Sequence, residues 1–309
     1  MSKEKNQLGS TGFEATRLGF GAMELAAFAG PEADKQADRL LGTVLDSGIN
    51  LIDTAPDYGV SEELIGKHLA HRRQEFFLAS KCGCIVGRQA AFKDGKLEHD
   101  FAPANVRAGV EQSLRRMKTD HLDLVQIHSS PSRALIEELG TVEEMLALRD
   151  EGKVRFLGMS SILPELLDHI EMGVFDVFQI PYSALQPEHE AVIARAAQAG
   201  AGTIIRGGVA RGATAPDHDD EQDHDFWRKF VVARRDLWAQ AKLDDLLDGL
   251  SAMEFMLRFV LAHPGLHTTI VGTSKPEHLL ANVAVATQGP LPEALRDEVI
   301  RRIAAVAGR

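Results

Sequence analysis

The chain has 309 residues, 44% hydrophobic and 26% charged, the profile of a globular protein with a sizeable core and not of a disordered or fibrous chain. Its formal net charge of -11 argues against a nucleic-acid partner, which needs basic patches to displace phosphate counterions. No stretch approaches the roughly 20 apolar residues that cross a bilayer, and MSKEKNQLGSTGF lacks the apolar segment of a secretory signal, so no membrane partner and a cytoplasmic location are expected.

In chain order, QLGSTGFEATRLGFGAM places a Ser-Thr-Gly turn between two short apolar runs, which predicts a β-hairpin ahead of the main fold, closing its bottom. Eight β-like runs follow: RLGFGA (17–22), INLIDT (49–54), FFLASK (76–81), LDLVQIH (122–128), VRFLGMS (154–160), VFQIPY (177–182), GTIIR (202–206) and HTTIVG (267–272). Most are continuously apolar at their centres, as in parallel strands buried on both faces. Helical patterns lie between them. Leu40, Leu41, Val44 and Leu45 share one face of a helix over 34–47, and Val106, Val110 and Leu114 follow Pro103, which suits a first helical turn. Further helices are predicted over 141–151, 164–173, 187–200, 251–263 and 276–288, and EELIGKHLAHRR reads as an ordinary amphipathic helix.

Eight strands alternating with helices, without a break in composition, predict a single domain over residues 1–309. It is an α/β fold, a (β/α)8 TIM barrel with an N-terminal β-hairpin and long loops after strands 3 and 7, over 84–102 and 207–242. An open doubly wound sheet would carry a glycine-rich dinucleotide fingerprint after an early strand, and GFGAM (19–23) has the wrong spacing for one. Any nucleotide must then be held in another way.

Barrel chemistry sits at the C-terminal ends of the strands. There the apolar runs end in Asp53, with Tyr58 shortly after, in Lys81 and in His128. Each would be costly to bury alone. Together they describe a general acid aimed at a carbonyl oxygen. Tyr58 would carry the proton, Lys81 would favour its phenolate and lower its pKa, Asp53 would keep Lys81 charged, and His128 would bond the substrate oxygen. The group lacks an electron source, so hydride must come from a cofactor.

Cys82 and Cys84 are expected to be reduced. A disulfide between them would be strained, and without further Cys or His ligands nearby in the sequence they make a weak metal site, so no metal is expected. The acidic PDHDDEQDHDFW (216–227) lacks metal-ligand spacing and reads as a solvated loop near the substrate mouth. Phe92, Phe226 and Trp227, on the two long loops, either line that mouth or anchor the loops. His71, His169 and His263 fall on helices and read as surface or packing residues.

The segments LGFGAM, INLIDTAPDYG, the strand ending in Lys81, LVQIH, EGKVRFLGMSS, FQIPYSAL and IVGTSKPEHLLANV, in this order, resemble the aldo-keto reductase family. The family's catalytic tetrad falls on Asp53, Tyr58, Lys81 and His128. The resemblance implies NADP(H) across the barrel mouth, with NAD(H) as the alternative, and hydride transfer to a small aldehyde or ketone. It places Gly21, Ala22 and Met23 beside the ribose and nicotinamide, and Ser160, Ser161 and Gln179 at the carboxamide. Arg206 stands where a ring often stacks on the nicotinamide, and Gly272, Thr273, Ser274, His278 and Asn282 at the adenosine and 2′-phosphate end. Ser161 replaces a commoner Asn, His278 a commoner Arg, and Ala281 a commoner acid. A binding module of the same fold that senses cofactor redox state without turnover is the alternative function. A metal-dependent hydrolase using Asp53, His128 and the acidic loop is a more distant one. Oligomeric state is not legible.

Overall fold

The computed structural model describes residues 4–87, 92–93, 96–214 and 225–307. β1 (Lys5–Gln7) and β2 (Glu14–Thr16) form the antiparallel hairpin. The barrel strands are β3 (Leu18–Gly21), β4 (Leu51–Asp53), β5 (Phe77–Cys82), β8 (Leu122–Ile127), β9 (Val154–Ser160), β10 (Val177–Pro181), β11 (Gly202–Arg206) and β12 (Thr268–Val271). Between β5 and β8 lies a short antiparallel pair, β6 (Phe92–Lys93) and β7 (Lys96–Leu97). The eight barrel strands close in chain order, every pair parallel. All eight predicted strands are thus present.

Strand side chains alternate in direction, so each strand feeds two cores. Ile52, Leu78, Val125, Leu157, Phe178 and Ile205 face outward and pack beneath the helices. Leu51, Phe77, Ala79, Leu124, Val177 and Ile204 face inward and fill the lower barrel together with Leu8 and Ala15 of the hairpin. Phe13 packs there too, 4.7 Å from Phe77 between ring centroids. Ser10 N–H also bonds Gly200 O at 3.0 Å, so the hairpin closes the bottom as expected.

Glycine at 158 is required by this interior. A Cβ there would stand 2.9 Å from Gln126 Cγ and 2.9 Å from Val177 O.

The predicted loop over 207–242 is not all loop. It contains the helix Asp225–Gln240, whose Val231 and Trp238 are buried two helical turns apart. Helices Arg133–Leu139 and Glu293–Ala307 were likewise not anticipated. The acidic residues 216–224 lie outside the described residues, as do the side chains of Phe92, Phe226 and Trp227. No helix among the described residues is long and apolar enough to cross a membrane.

His169 and His263 are packing residues, as read from sequence. Burial pushes the His263 imidazole down to about 4. Its Nδ1 accepts from Gly265 N–H at 3.0 Å while Nε2 bonds Glu190 O at 3.0 Å, a pairing that needs the neutral ring. Unfolded, the ring titrates near 6.5. The unfolded chain therefore takes up a proton that the folded chain refuses, and stability falls as pH drops from about 6.5 towards 4, by up to roughly 3 kcal/mol. Equilibrium unfolding across this range should show a shallower loss in His263→Gln. Identical slopes would exclude His263 as the source.

Candidate active site

Above the inward apolar layer, the same face of each strand turns polar. Asp53 follows Leu51, Lys81 follows Ala79, and Gln126 and His128 follow Leu124; Ser160, Gln179 and Arg206 continue the inward faces of β9, β10 and β11. Parity alone therefore aims these groups into one mouth at the C-terminal ends of the strands.

At the centre is a buried ion pair. Lys81 Nζ donates to Asp53 Oδ2 at 2.7 Å and to Thr54 O at 2.9 Å. Asp53 Oδ1 accepts from Gln126 Nε2 and from Gln179 Nε2, both at 2.8 Å. Asp53 and Lys81 are 2% and 1% exposed, so the carboxylate has exchanged water for three protein donors. Burial pushes the Lys81 ammonium towards losing its proton, but Asp53, Tyr58 and Asp57 outweigh it and its pKa lies above the ordinary lysine value. Lys81 is charged.

Tyr58 sits in the turn after β4, its N–H bonded to Ala55 O at 3.1 Å. Lys81 Nζ lies 5.1 Å from its ring centroid, and the His128 ring meets it edge-on at 6.1 Å. The expected lowering of its pKa is corrected here. Burial raises it, Asp53 and Asp57 add to the rise, and the opposing pull of Lys81 and Arg206 does not cancel it. Phenolate at this partly buried position costs more than one nearby ammonium returns. Tyr58 therefore holds its proton firmly in the free protein.

His128 follows β8, its N–H bonded to Cys82 O at 3.0 Å. Its Nδ1 lies 3.4 Å from both Asp57 Oδ2 and Cys84 Sγ, and the His99 ring meets it edge-on at 4.9 Å. Burial opposes ionisation of Asp57, but His128, His99 and Lys81 together hold its carboxyl below the usual range.

A tyrosine, an ammonium held by a buried carboxylate and an imidazole thus lie beside one another at one end of the barrel. A model of the Aldo/keto reductase family matches residues 17–306. The chain belongs to the aldo/keto reductase family. It is an oxidoreductase of carbonyl compounds. It is 31% identical over 296 residues to the aldo-keto reductase YhdN of Bacillus subtilis, covering 90% of this chain and 87% of that protein. Among solved structures, the holo form of an aldo-keto reductase from Bacillus halodurans matches with a TM-score of 0.81 at 29% identity, covering 97% of this chain and 96% of that one. A glycerol dehydrogenase from Gluconobacter oxydans matches with a TM-score of 0.76 at 27% identity, covering 99% and 96%.

In this aldo/keto reductase the residues expected at a nicotinamide cofactor lie at or near the C-terminal ends of β3, β9, β10, β11 and β12, or on the helix that follows β12. Gly21 ends β3, and Ala22 and Met23 follow it. Gly272 comes so near that a Cβ would stand 3.1 Å from Gly21 O. Thr273 and Ser274 lead into the helix Pro276–Thr287, whose first turn has no side-chain cap and carries exposed His278, with half-buried Asn282 further along. Ser160 Oγ donates to Gln179 Oε1 at 3.3 Å. Ser161 is fully buried, and its Oγ is paired with His169 Nδ1 at 2.9 Å and Ser130 Oγ at 3.2 Å. Arg206 is half-buried in the field of Tyr58 and Asp53, which oppose the lowering of its pKa by burial.

Sequence reading missed Gln126, Asp57, His99 and Cys84 as members of this mouth. Gln126 shares the inward parity of Leu124 and His128, a signal that was present. His99 reaches the site because it bridges back to Cys84 across the β6–β7 pair. The Asp94-Gly95 dipeptide in the intervening sequence is a hairpin signal that could have predicted that return.

Proposed function

We propose that the protein is an NADP(H)-dependent reductase of small aldehydes and ketones, with alcohol or sugar oxidation as the reverse reaction and Tyr58 as the general acid. The observation that carries this reading is the convergence of Tyr58, His128 and the buried Asp53–Lys81 pair on one mouth.

The residues present fit the cofactor. Gly21 and Gly272, side by side at the ends of β3 and β12, put no side chain in the way of a ligand lying along the backbone. The open first turn after Lys275 presents amides and a positive dipole end suited to a phosphate. Arg206 offers a guanidinium plane for stacking, and Ser160 and Gln179 offer hydrogen-bonding groups for a carboxamide. When bound, the nicotinamide supplies the hydride.

This chain's own residues do the rest. His128 donates to the carbonyl oxygen and orients it. Tyr58 gives that oxygen its phenolic proton as negative charge develops there. Lys81, held by Asp53 and through it by Gln126 and Gln179, stabilises the phenolate left behind. The free thiols of Cys82 and Cys84 suit a reducing cytoplasm.

Titration of the purified protein with NADPH and NADH, followed by a panel of aldehydes, ketones and polyols, tests the proposal. Tighter binding of NADPH, with turnover, is expected. A fluorescence change in neither nucleotide would sink it, and binding without any turnover would favour a cofactor-sensing module instead.

A further inference from the structure

Asp57, Cys84, His99 and His128 each offer one ligating atom, and these atoms all lie within 4.8 Å of one another. They arrive from the turn after β4, the residue just beyond Gly83 at the end of β5, the bridge that returns to Cys84, and the end of β8. The sequence offers Cys84 no ligands nearby along the chain, but the fold brings three to it. The ligands are near in space and remote in sequence.

Two separations match those of ligands sharing an ion. His128 Nδ1 is 3.4 Å from Cys84 Sγ and 3.4 Å from Asp57 Oδ2. Ligands arranged tetrahedrally at Zn²⁺ bond lengths of about 2.0–2.3 Å stand roughly 3.3–3.7 Å apart. A second observation points the same way. The Asp57 side chain is only 7% exposed, yet neither of its carboxylate oxygens has a hydrogen-bond partner among the described residues. The 3.4 Å approach of His128 is an ion-pair distance that misses hydrogen-bond geometry. A carboxylate removed from water without donors is costly, and a cation seated among these four groups would satisfy it.

We infer that Asp57, Cys84, His99 and His128 form a transition-metal site, suited to Zn²⁺, beside the substrate mouth. One thiolate, two imidazoles and one carboxylate make a borderline-soft tetrahedral set. Mg²⁺ and Ca²⁺ prefer oxygen alone. On binding, the Cys84 thiol gives its proton to solvent as the sulfur–metal bond forms, and the imidazoles and the Asp57 carboxylate contribute lone pairs. The ion with one thiolate and one carboxylate is then neutral, which the partly buried position tolerates. Ligation through Nδ1 leaves the proton of His128 on Nε2. Given the reading of His128 as the group facing the carbonyl, the metal would thus fix it as an N–H donor.

The test uses the full chain, stripped with a chelator, dialysed, and titrated with Co²⁺ or Zn²⁺ alone before any nucleotide is added. Expected is uptake of one Co²⁺ per chain with the intense visible bands of tetrahedral coordination and a thiolate-to-cobalt band, all displaced by one equivalent of Zn²⁺. Cys84→Ser should abolish the thiolate band, and both Cys84→Ser and His99→Asn should weaken Zn²⁺ binding by about tenfold or more. Circular dichroism checks the fold, and should Cys84→Ser misfold, His99→Asn decides alone. A pale octahedral spectrum, no stoichiometric uptake, or undiminished uptake in the folded variants would overturn the site. Such a failure leaves the carbonyl-reductase reading standing, because that reading is judged by turnover.

Discussion

Replacing Tyr58 by Phe should lower carbonyl reduction by roughly 10²–10⁴ while leaving nucleotide affinity and thermal stability nearly unchanged. The substitution removes one hydroxyl from a half-buried ring and keeps the ring contacts with Lys81 and His128. The proton source is lost and the pocket is not. Single-turnover reduction with saturating NADPH is the direct measurement, with cofactor fluorescence read in parallel. A variant retaining most of its turnover would remove Tyr58 from the role of acid.

The titration of Tyr58 adds a pH arm with a definite sign. Its pKa is raised above 10, so the proton-bearing form persists through and beyond neutral pH. Reduction, which needs the phenol, should stay level until strongly alkaline pH. Oxidation of an alcohol, which needs the phenolate, should keep accelerating as pH rises towards that value. Profiles of kcat/KM in the two directions should therefore diverge at high pH.

The second large effect is expected at Lys81. Lys81→Met should cost about 3–5 kcal/mol of stability, because it strands the Asp53 carboxylate in a buried site with only the two glutamine amides. The same change removes the charge that stabilises the phenolate, so turnover should fall by about 10² or more. The double variant Asp53→Asn with Lys81→Met separates the two consequences. With no buried charge left unpaired, most of the stability should return, whereas turnover should stay low. Chemical denaturation gives the first quantity and steady-state kinetics the second. Recovery of activity together with stability would show that the pair acts only as scaffold.

The fold was legible in the sequence because its signal is local. Continuously apolar runs such as FFLASK and LDLVQIH, spaced by helical patterns, identify buried parallel strands without knowledge of their partners. The helix Asp225–Gln240 escaped because its buried stripe is set among arginines and lysine, in a stretch that the acidic run before it marked as loop. Asp53, Lys81 and His128 were legible for the same local reason: an ionisable group at the end of an apolar strand has a cost that needs an explanation.

The direction of each side chain follows from the order of residues alone. Two-residue alternation along each strand puts Asp53, Lys81, Gln126 and His128 on the face that carries Leu51, Ala79 and Leu124, and so into the barrel mouth. Which of these groups meet, and which way their electrostatics resolve, depends on the closed barrel. Gln179 reaches Asp53 across 126 residues of chain, and Asp57, Cys84 and His99 gather about His128, because closing the barrel sets distances between strands that no local pattern encodes. Burial is likewise a property of the closed barrel. It decides that Tyr58, although beside an ammonium, keeps its proton.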